Sequence, residues 1–204
     1  MTDPNRLAPT QTPVLEAVRQ RWSPRAYDPE ARIPADQLRT MFEAAAWASS
    51  SFNEQPWRFV LATPDTPEQF QAILQTMAEA NQAWAQHASL LIATAGKTDF
   101  SKNGKPNRCW QHDVGQAMAH LSLQAAALGW QVHQMAGVDL EALRAAVAIP
   151  EGYEPFTVSA IGRVGDAGAL PEAWMRDAES APRVRKPLDE VVFDTWGEPA
   201  EALA

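Results

Sequence analysis

Ser50-Ser51-Phe52-Asn53-Glu54-Gln55-Pro56-Trp57-Arg58-Phe59 sets a polar turn directly against the start of an apolar run, Trp57 to Ala62, that Pro64 cuts off. The run has the length and content of a β-strand, and the turn before it offers serine hydroxyls and carboxamides as donors and acceptors. Such a set suits the edge of a planar, amide-like ring. It equally suits an ordinary turn in which Asn53 and Pro56 direct the backbone.

Working outward, strands and helices interleave along the whole chain. Thr12-Pro13 reads as a helix N-cap and first-turn proline, with Val14, Leu15 and Val18 as an apolar face. A helix is expected after Pro34, with Leu38, Met41, Phe42 and Ala45 at helical spacing, stopping near Ala48. Thr66-Pro67-Glu68-Gln69 has the pattern of a capping box, and Phe70, Ile73, Leu74 and Met77 continue it as an amphipathic helix. Ser89 to Ala95 is uninterruptedly apolar, as a buried strand is. A polar loop, 96–107, then leads to the longest helix, about Cys109 to Leu128, ended by Gly129. Gln131 to Met135 reads as a short strand, Asp139 as the cap of another helix, and Thr157 to Val164 as a last strand. From Ala167 the chain is a polar arm with four prolines that turns apolar again at Leu188 and Val191 to Phe193. An apolar patch beyond a polar arm needs a surface to pack on, and a partner subunit is a natural one. The sum is a single mixed helix-and-strand domain over residues 1–204, either α+β or irregular α/β, with no strand order set by the pattern.

Composition narrows the function. Of 204 residues, 46% are hydrophobic and 21% charged, which is ordinary for a globular domain of a size that buries a core without staples. A net charge of -8 excludes general nucleic-acid binding, which needs a basic excess, but leaves room for one small anion. The single cysteine, Cys109, allows no internal disulfide, and with four histidines it gives no zinc spacing, so no metal is expected. No apolar stretch approaches membrane-spanning length, and the first thirteen residues lack the basic start and apolar run of a signal peptide. A cytoplasmic protein with no membrane association is the expectation.

Two basic clusters are candidate anion sites. Arg19-Gln20-Arg21-Trp22-Ser23-Pro24-Arg25 follows the first helix, and Arg183-Val184-Arg185-Lys186-Pro187-Leu188 lies on the arm. Arginines supply planar, bidentate donors for phosphate, and Ser23 adds a hydroxyl. Each cluster alone could as well be solvated surface, the first a helix end favoured by the dipole and the second a solubilising tail. No Ser-His-Asp order, Rossmann glycine motif or P-loop is present, and nothing argues for a lowered pKa at Cys109.

The order and spacing of the pieces carry more than each piece. Arg21 to Glu30, Ser50 to Phe59 and R-x-R-K-P-L near the C-terminus resemble the nitroreductase family, as do N-Q-A-W (81–84), D-V-G-Q-A (113–117), A-L-G-W (127–130) and H-Q-M-A-G-V-D (133–139). The likeness spans about residues 12–193, and Ser50 to Trp57 is its most specific part. The resemblance implies an α+β homodimer with a central mixed sheet flanked by helices, an exchanged C-terminal arm of about residues 167–204, and FMN at each of two interface sites. It implies that Arg21, Ser23, Arg183 and Arg185 hold the FMN phosphate, with Trp22 contributing mainly backbone, and that Arg25 lies by the pyrimidine side of the flavin. Ser50, Ser51, Asn53 and Gln55 would come from the other subunit. Asn81 would bond the flavin edge, and Met135, Ala136 and Gly137 would run over the ring, a close approach that glycine permits.

The resemblance also implies NAD(P)H as a transient donor, passing hydride through flavin N5 to small electrophiles (nitroaromatics, quinones or activated alkenes) in a ping-pong cycle. Here the protein orients and the flavin carries the chemistry, with no catalytic side chain required. Other flavin chemistry within the family, namely dehalogenation, flavin fragmentation or oxidation, is an alternative, as is a flavin-binding module without turnover. Two positions depart from some members: Trp84 stands where a lysine would lie near the flavin, and Ala136 where a glutamate occurs. Trp84, Trp110 and Trp130 are candidates either for lining the pocket or for the core.

Overall fold

The computed structural model describes residues 6–203. Met1–Asn5, part of the N-terminal stretch discussed above, and Ala204 lie outside the described residues. Four strands form the central sheet: β1 (Trp57–Ala62), β2 (Leu90–Lys97), β3 (Gln131–Met135) and β4 (Tyr153–Gly162). Their order is β1-β2-β4-β3, and every pairing is antiparallel. The expectation of a mixed sheet is therefore corrected for the single chain: each strand runs opposite to its neighbours, so no parallel pair arises among the described residues.

Among the described residues, seven α-helices surround the sheet: α1 (Glu16–Gln20), α2 (Ala35–Ala46), α3 (Pro67–Leu74), α4 (Glu79–Ala85), α5 (Trp110–Ala127), α6 (Leu140–Ala146) and α7 (Ala173–Ser180). The two-residue period of a strand sends alternate side chains into two cores. Leu90 and Ile92 of β2 join Val132 and Ile161 against Met41 and Ala45 of α2 and Val114, Ala117, Met118 and Leu121 of α5. Leu91 and Ala93 join Val158 and Ala160 against α3, α4, α6 and α7, through Phe70, Ile73, Trp84, Leu143 and Met175. Burial on both faces is why β2 reads as an unbroken apolar run. The stripe of small residues on α5, Ala117 and Ala125 among them, brings that helix close to the sheet.

Several boundaries match the sequence reading. β1 and β3 have the expected bounds, Gly129 ends α5 at φ 81°, and the Asp139 carboxylate accepts the Ala142 N–H at 3.0 Å as the cap of α6. Others are corrected. α1 begins only at Glu16, with Leu15 at the cap position and no side-chain bond, so Thr12-Pro13 starts no helix and Leu15 is 74% exposed. Thr66 does stand at the cap of α3, but its hydroxyl bonds Thr63 instead of the helix N–H groups. β4 starts four residues earlier than expected, at Tyr153. α4 and α7 were not legible in the sequence pattern, and α7 falls inside what reads as a polar arm. Beyond it, Phe193–Thr195 (β5) and Glu198–Pro199 (β6) form a small hairpin with Trp196 at its exposed tip.

No helix among the described residues is long and apolar enough to cross a membrane.

Candidate flavin site

The first basic cluster has no regular structure, and distant side chains hold its backbone. Gln131 at the start of β3 accepts the Trp22 N–H at 3.0 Å and donates to the Gln20 carbonyl at 3.1 Å. His133, two residues on and so on the same face, bonds the Pro24 carbonyl through Nδ1 at 2.9 Å. Glu179 of α7, only 6% exposed, accepts the N–H groups of Arg25 at 2.8 Å and Ala26 at 3.4 Å. Arg183 donates to the carbonyls of Arg19 at 2.9 Å and Arg21 at 2.7 Å, closing the end of α1. Buried backbone groups must be paired, and here side chains replace a missing ladder. Sequence reasoning missed Gln131, His133 as a clamp, and Glu179, because each acts across more than a hundred residues.

That frame already engages two of the residues expected at the phosphate. The backbone N–H of Trp22 is bonded to Gln131, and its ring is buried. Arg183 directs three of its five donors into backbone carbonyls, the third to Arg6 at 2.8 Å, so it also holds the chain. The Arg21 side chain reaches Ser23 alone among the described residues, at 3.5 Å, and that of Arg185 the Val184 carbonyl alone. Among the described residues, no carboxylate pairs with Arg6, Arg21, Arg183 or Arg185. Burial, then Arg185, lowers the Arg21 pKa from the ordinary arginine value. Burial, then Arg21, Arg185 and Arg6, does the same to Arg183. Four like charges share one corner without a counter-charge among the described residues. Such a corner favours an anion with several acceptor oxygens.

At the other end of β3, Met135 turns its side chain into the core, leaving Ala136 and Gly137 exposed. The Gly137 carbonyl accepts the Ala78 N–H at 2.9 Å, which sets the start of α4 beside it. A Cβ at Gly137 would lie 3.3 Å from Asn81 Nδ2, so glycine leaves the carboxamide room. The structure thus brings Asn81 and Met135–Gly137 together, one strand length from the arginine corner. Five residues of β3 make that length about 13 Å.

Arg25 lies between, its guanidinium 5.3 Å from the Trp174 ring and its Nε buried without a partner among the described residues. Trp84 does not line this surface. It is fully buried, 4.7 Å from His133 and 6.1 Å from Tyr27 by ring centroids. Trp130 is also core, its N–H bonding Gln37 at 2.7 Å, and Trp110 packs edge-on against Phe156.

His133 gives this frame a pH dependence. Burial is the main cause that lowers its pKa to about 4; the Pro24 carbonyl opposes this, and Arg25 adds to it. The unfolded chain binds a proton near pH 6.5 and the folded one only near 4, so stability should fall as pH drops through that window. The loss should total about 3 kcal/mol. Thermal melts of the wild type and His133→Gln between pH 7.5 and 4.5 check it, the variant being expected to lose most of this slope.

The Ser50–Gln55 loop is elsewhere. Phe52, Asn53 and Gln55 have φ of 53°, 56° and 51°, a left-handed conformation that costs non-glycine residues about 1 kcal/mol or more each. Ser50 Oγ accepts the Gln55 N–H at 3.0 Å, Gln55 Nε2 donates to Asn53 Oδ1 at 3.1 Å, and buried Asp113 accepts the Ser51 N–H at 3.0 Å. The Glu54 carboxylate takes the Ser101 N–H and hydroxyl, tying the loop to the 98–107 segment. Phe52 is left 92% exposed at its tip.

The loop precedes β1, at one sheet edge, where Trp57 aligns with Gly96 and Gly96 with Glu154. The arginine corner lies at the other edge and other end, where Gln131 aligns with Gly162. Three strand spacings and the eight positions from Glu154 to Gly162 separate them, about 14 Å across and 26 Å along. One chain does not bring the two halves of the expected site together.

The fold and these two clusters define a class of α+β protein with an anion corner, and comparison with known proteins places it. The sequence profile of the nitroreductase family matches residues 18–163. The chain belongs to the nitroreductase family. It is 30% identical over 179 residues to Protein DrgA of Synechocystis sp., covering 73% of this chain and 83% of that protein. It is 26% identical over 92 residues to the major NAD(P)H-flavin oxidoreductase of Aliivibrio fischeri, or 45% of this chain and 42% of that protein. A crystal structure described as an oxidoreductase containing FMN superposes with a TM-score of 0.84 at 33% identity, over 95% of this chain and 97% of that one.

Proposed function

We propose that the protein is an FMN-dependent NAD(P)H oxidoreductase that reduces small electrophiles such as nitroaromatics or quinones. The observation that carries this is the arginine corner, unpaired among the described residues and set one strand length from Asn81 and Gly137. The corner fits a phosphate, and the exposed Ala136–Gly137 backbone beside a carboxamide fits the edge of a flavin. When bound, FMN would supply hydride acceptance and two-electron delivery. The chain supplies position and field: Arg21 and Arg185 hold the phosphate, Gln131, His133, Glu179 and Arg183 fix the segment carrying Arg21 and Arg25, and Arg25 places its charge beside the ring. With Trp84 in the core, Arg25 carries that role without help from position 84.

The working form is a homodimer. Ser50, Ser51, Asn53 and Gln55 lie at the opposite corner of the sheet from Arg21, so a second copy must deliver them to the same ligand. Leu15, Trp47 and Phe52, 74%, 80% and 92% exposed, are the apolar surface such a partner would cover. The hairpin arm with Leu188, Val191 and Trp196 exposed fits an exchanged position on that partner.

Steady-state oxidation of NADH and NADPH against varied nitroaromatic or quinone tests the activity. Parallel double-reciprocal lines are expected, since donor and acceptor would use one surface in turn. Intersecting lines would require two simultaneous sites and contradict it.

A further inference from the structure

The N-terminal segment brings a charge to the anion corner that lies outside both basic clusters. Arg6 is part of the corner by direct contact: its carbonyl accepts Arg183 Nη1 at 2.8 Å, and Arg183 Nη2 goes on to the Arg21 carbonyl at 2.7 Å. The Arg6 guanidinium lies 4.1 Å over the Trp22 ring, beside Arg21 in the chain. Its Nη1 donates to the Ala181 carbonyl at 2.7 Å, while Nε is buried without a protein partner among the described residues. A guanidinium held over an indole, with spare donors and no carboxylate in reach among the described residues, is set up to meet an anion.

We propose that Arg6 is a direct ligand of the FMN phosphate, completing with Arg21 and Arg185 a three-arginine grip that Arg183 positions from behind. This rests on the FMN reading above and changes its membership. Arg183 directs three of its five donors to the carbonyls of Arg6, Arg19 and Arg21, so it sets the place of two of the ligands. The alternative role for Arg6 is a staple, fastening the N-terminal segment to the arm at Ala181. The two roles differ in what they recognise. A phosphate ligand distinguishes FMN from riboflavin, which has the same ring and no phosphate; a staple does not.

The test is the dissociation constant of FMN and of riboflavin, measured by quenching of flavin fluorescence with the flavin-free protein, for the wild type, Arg6→Gln and Arg6→Lys. Arg6→Gln is expected to weaken FMN about tenfold or more, the size of one charge-assisted hydrogen-bonded contact, and to leave riboflavin unchanged. Arg6→Lys keeps the charge but not the planar fork, and should weaken FMN by roughly threefold, again with riboflavin unchanged. FMN affinity equal to wild type in both variants, or equal losses for FMN and riboflavin, would overturn the proposal. Should Arg6→Gln fail to fold, the same comparison on Arg6→Lys decides. A wild type that binds riboflavin and FMN equally, or neither, would instead defeat the FMN-phosphate reading on which the proposal stands.

Discussion

Arg21→Ala should release FMN, with an affinity loss of roughly a hundredfold, while riboflavin binding changes little. The magnitude follows from the setting. Arg21 is half-buried, unpaired by any carboxylate among the described residues, and crowded by Arg185, so the phosphate would be its counter-charge. A charge-assisted bond to such a group is worth about 1.5–3 kcal/mol, which spans tenfold to above a hundredfold in affinity. Isothermal titration of the flavin-free protein with FMN reads it directly. The loss should shrink as salt rises, because screening weakens the wild-type grip more than that of the variant. Normal flavin content in both Arg21→Ala and Arg185→Ala would contradict the phosphate assignment.

The second large effect is on stability. Trp84→Ala should cost about 3–5 kcal/mol, the range for removing a fully buried large aromatic that leaves a cavity. Trp84 packs against His133 and Tyr27, and His133 in turn holds the Pro24 carbonyl, so the cavity opens directly beneath the segment that carries Arg21 and Arg25. Denaturant unfolding with the flavin-free protein measures the cost. A variant as stable as the wild type, yet altered in flavin affinity, would mean that Trp84 faces the ligand after all.

How far the sequence could be read follows from the same residues. Trp57–Ala62 was legible because prolines bound a largely apolar run, Gln131–Met135 because it follows the Gly129 helix stop, and β2 because burial on both faces makes its first five residues, Leu90 to Thr94, apolar but for one threonine. α7 was not: A-W-M-R-D-A-E-S buries Met175 and Glu179 alone, too thin an apolar face to stand out in a stretch bounded by prolines. Thr12-Pro13 carried a helix signal that the chain does not use, because helix formation here begins where Glu16 can pair with Arg19 and Gln20.

For the site, Arg21, Arg185, Asn81 and Gly137 stand in legible motifs, and the structure sets the arginines and the Asn81–Gly137 pair near opposite ends of β3. The clamps were not legible. Gln131 and Glu179 are single polar residues whose partners lie 109 and 154 positions away, and no local pattern marks such a pair. Nor does composition reveal that Phe52, Asn53 and Gln55 adopt left-handed backbone, since none is glycine. Arg183 was expected in contact with phosphate because it is a cation in the right motif. Which way its donors point depends on the carbonyls at the end of α1, and those are set only by the folded chain.

The most direct test of the central claim is the visible spectrum of the protein, loaded with FMN and desalted, before and after anaerobic NADH or NADPH. Retained flavin absorbance that bleaches with one or both donors, and returns on adding a nitroaromatic or quinone, is the predicted result. A protein that stays colourless after FMN is supplied, or holds flavin that neither donor bleaches, would contradict the account.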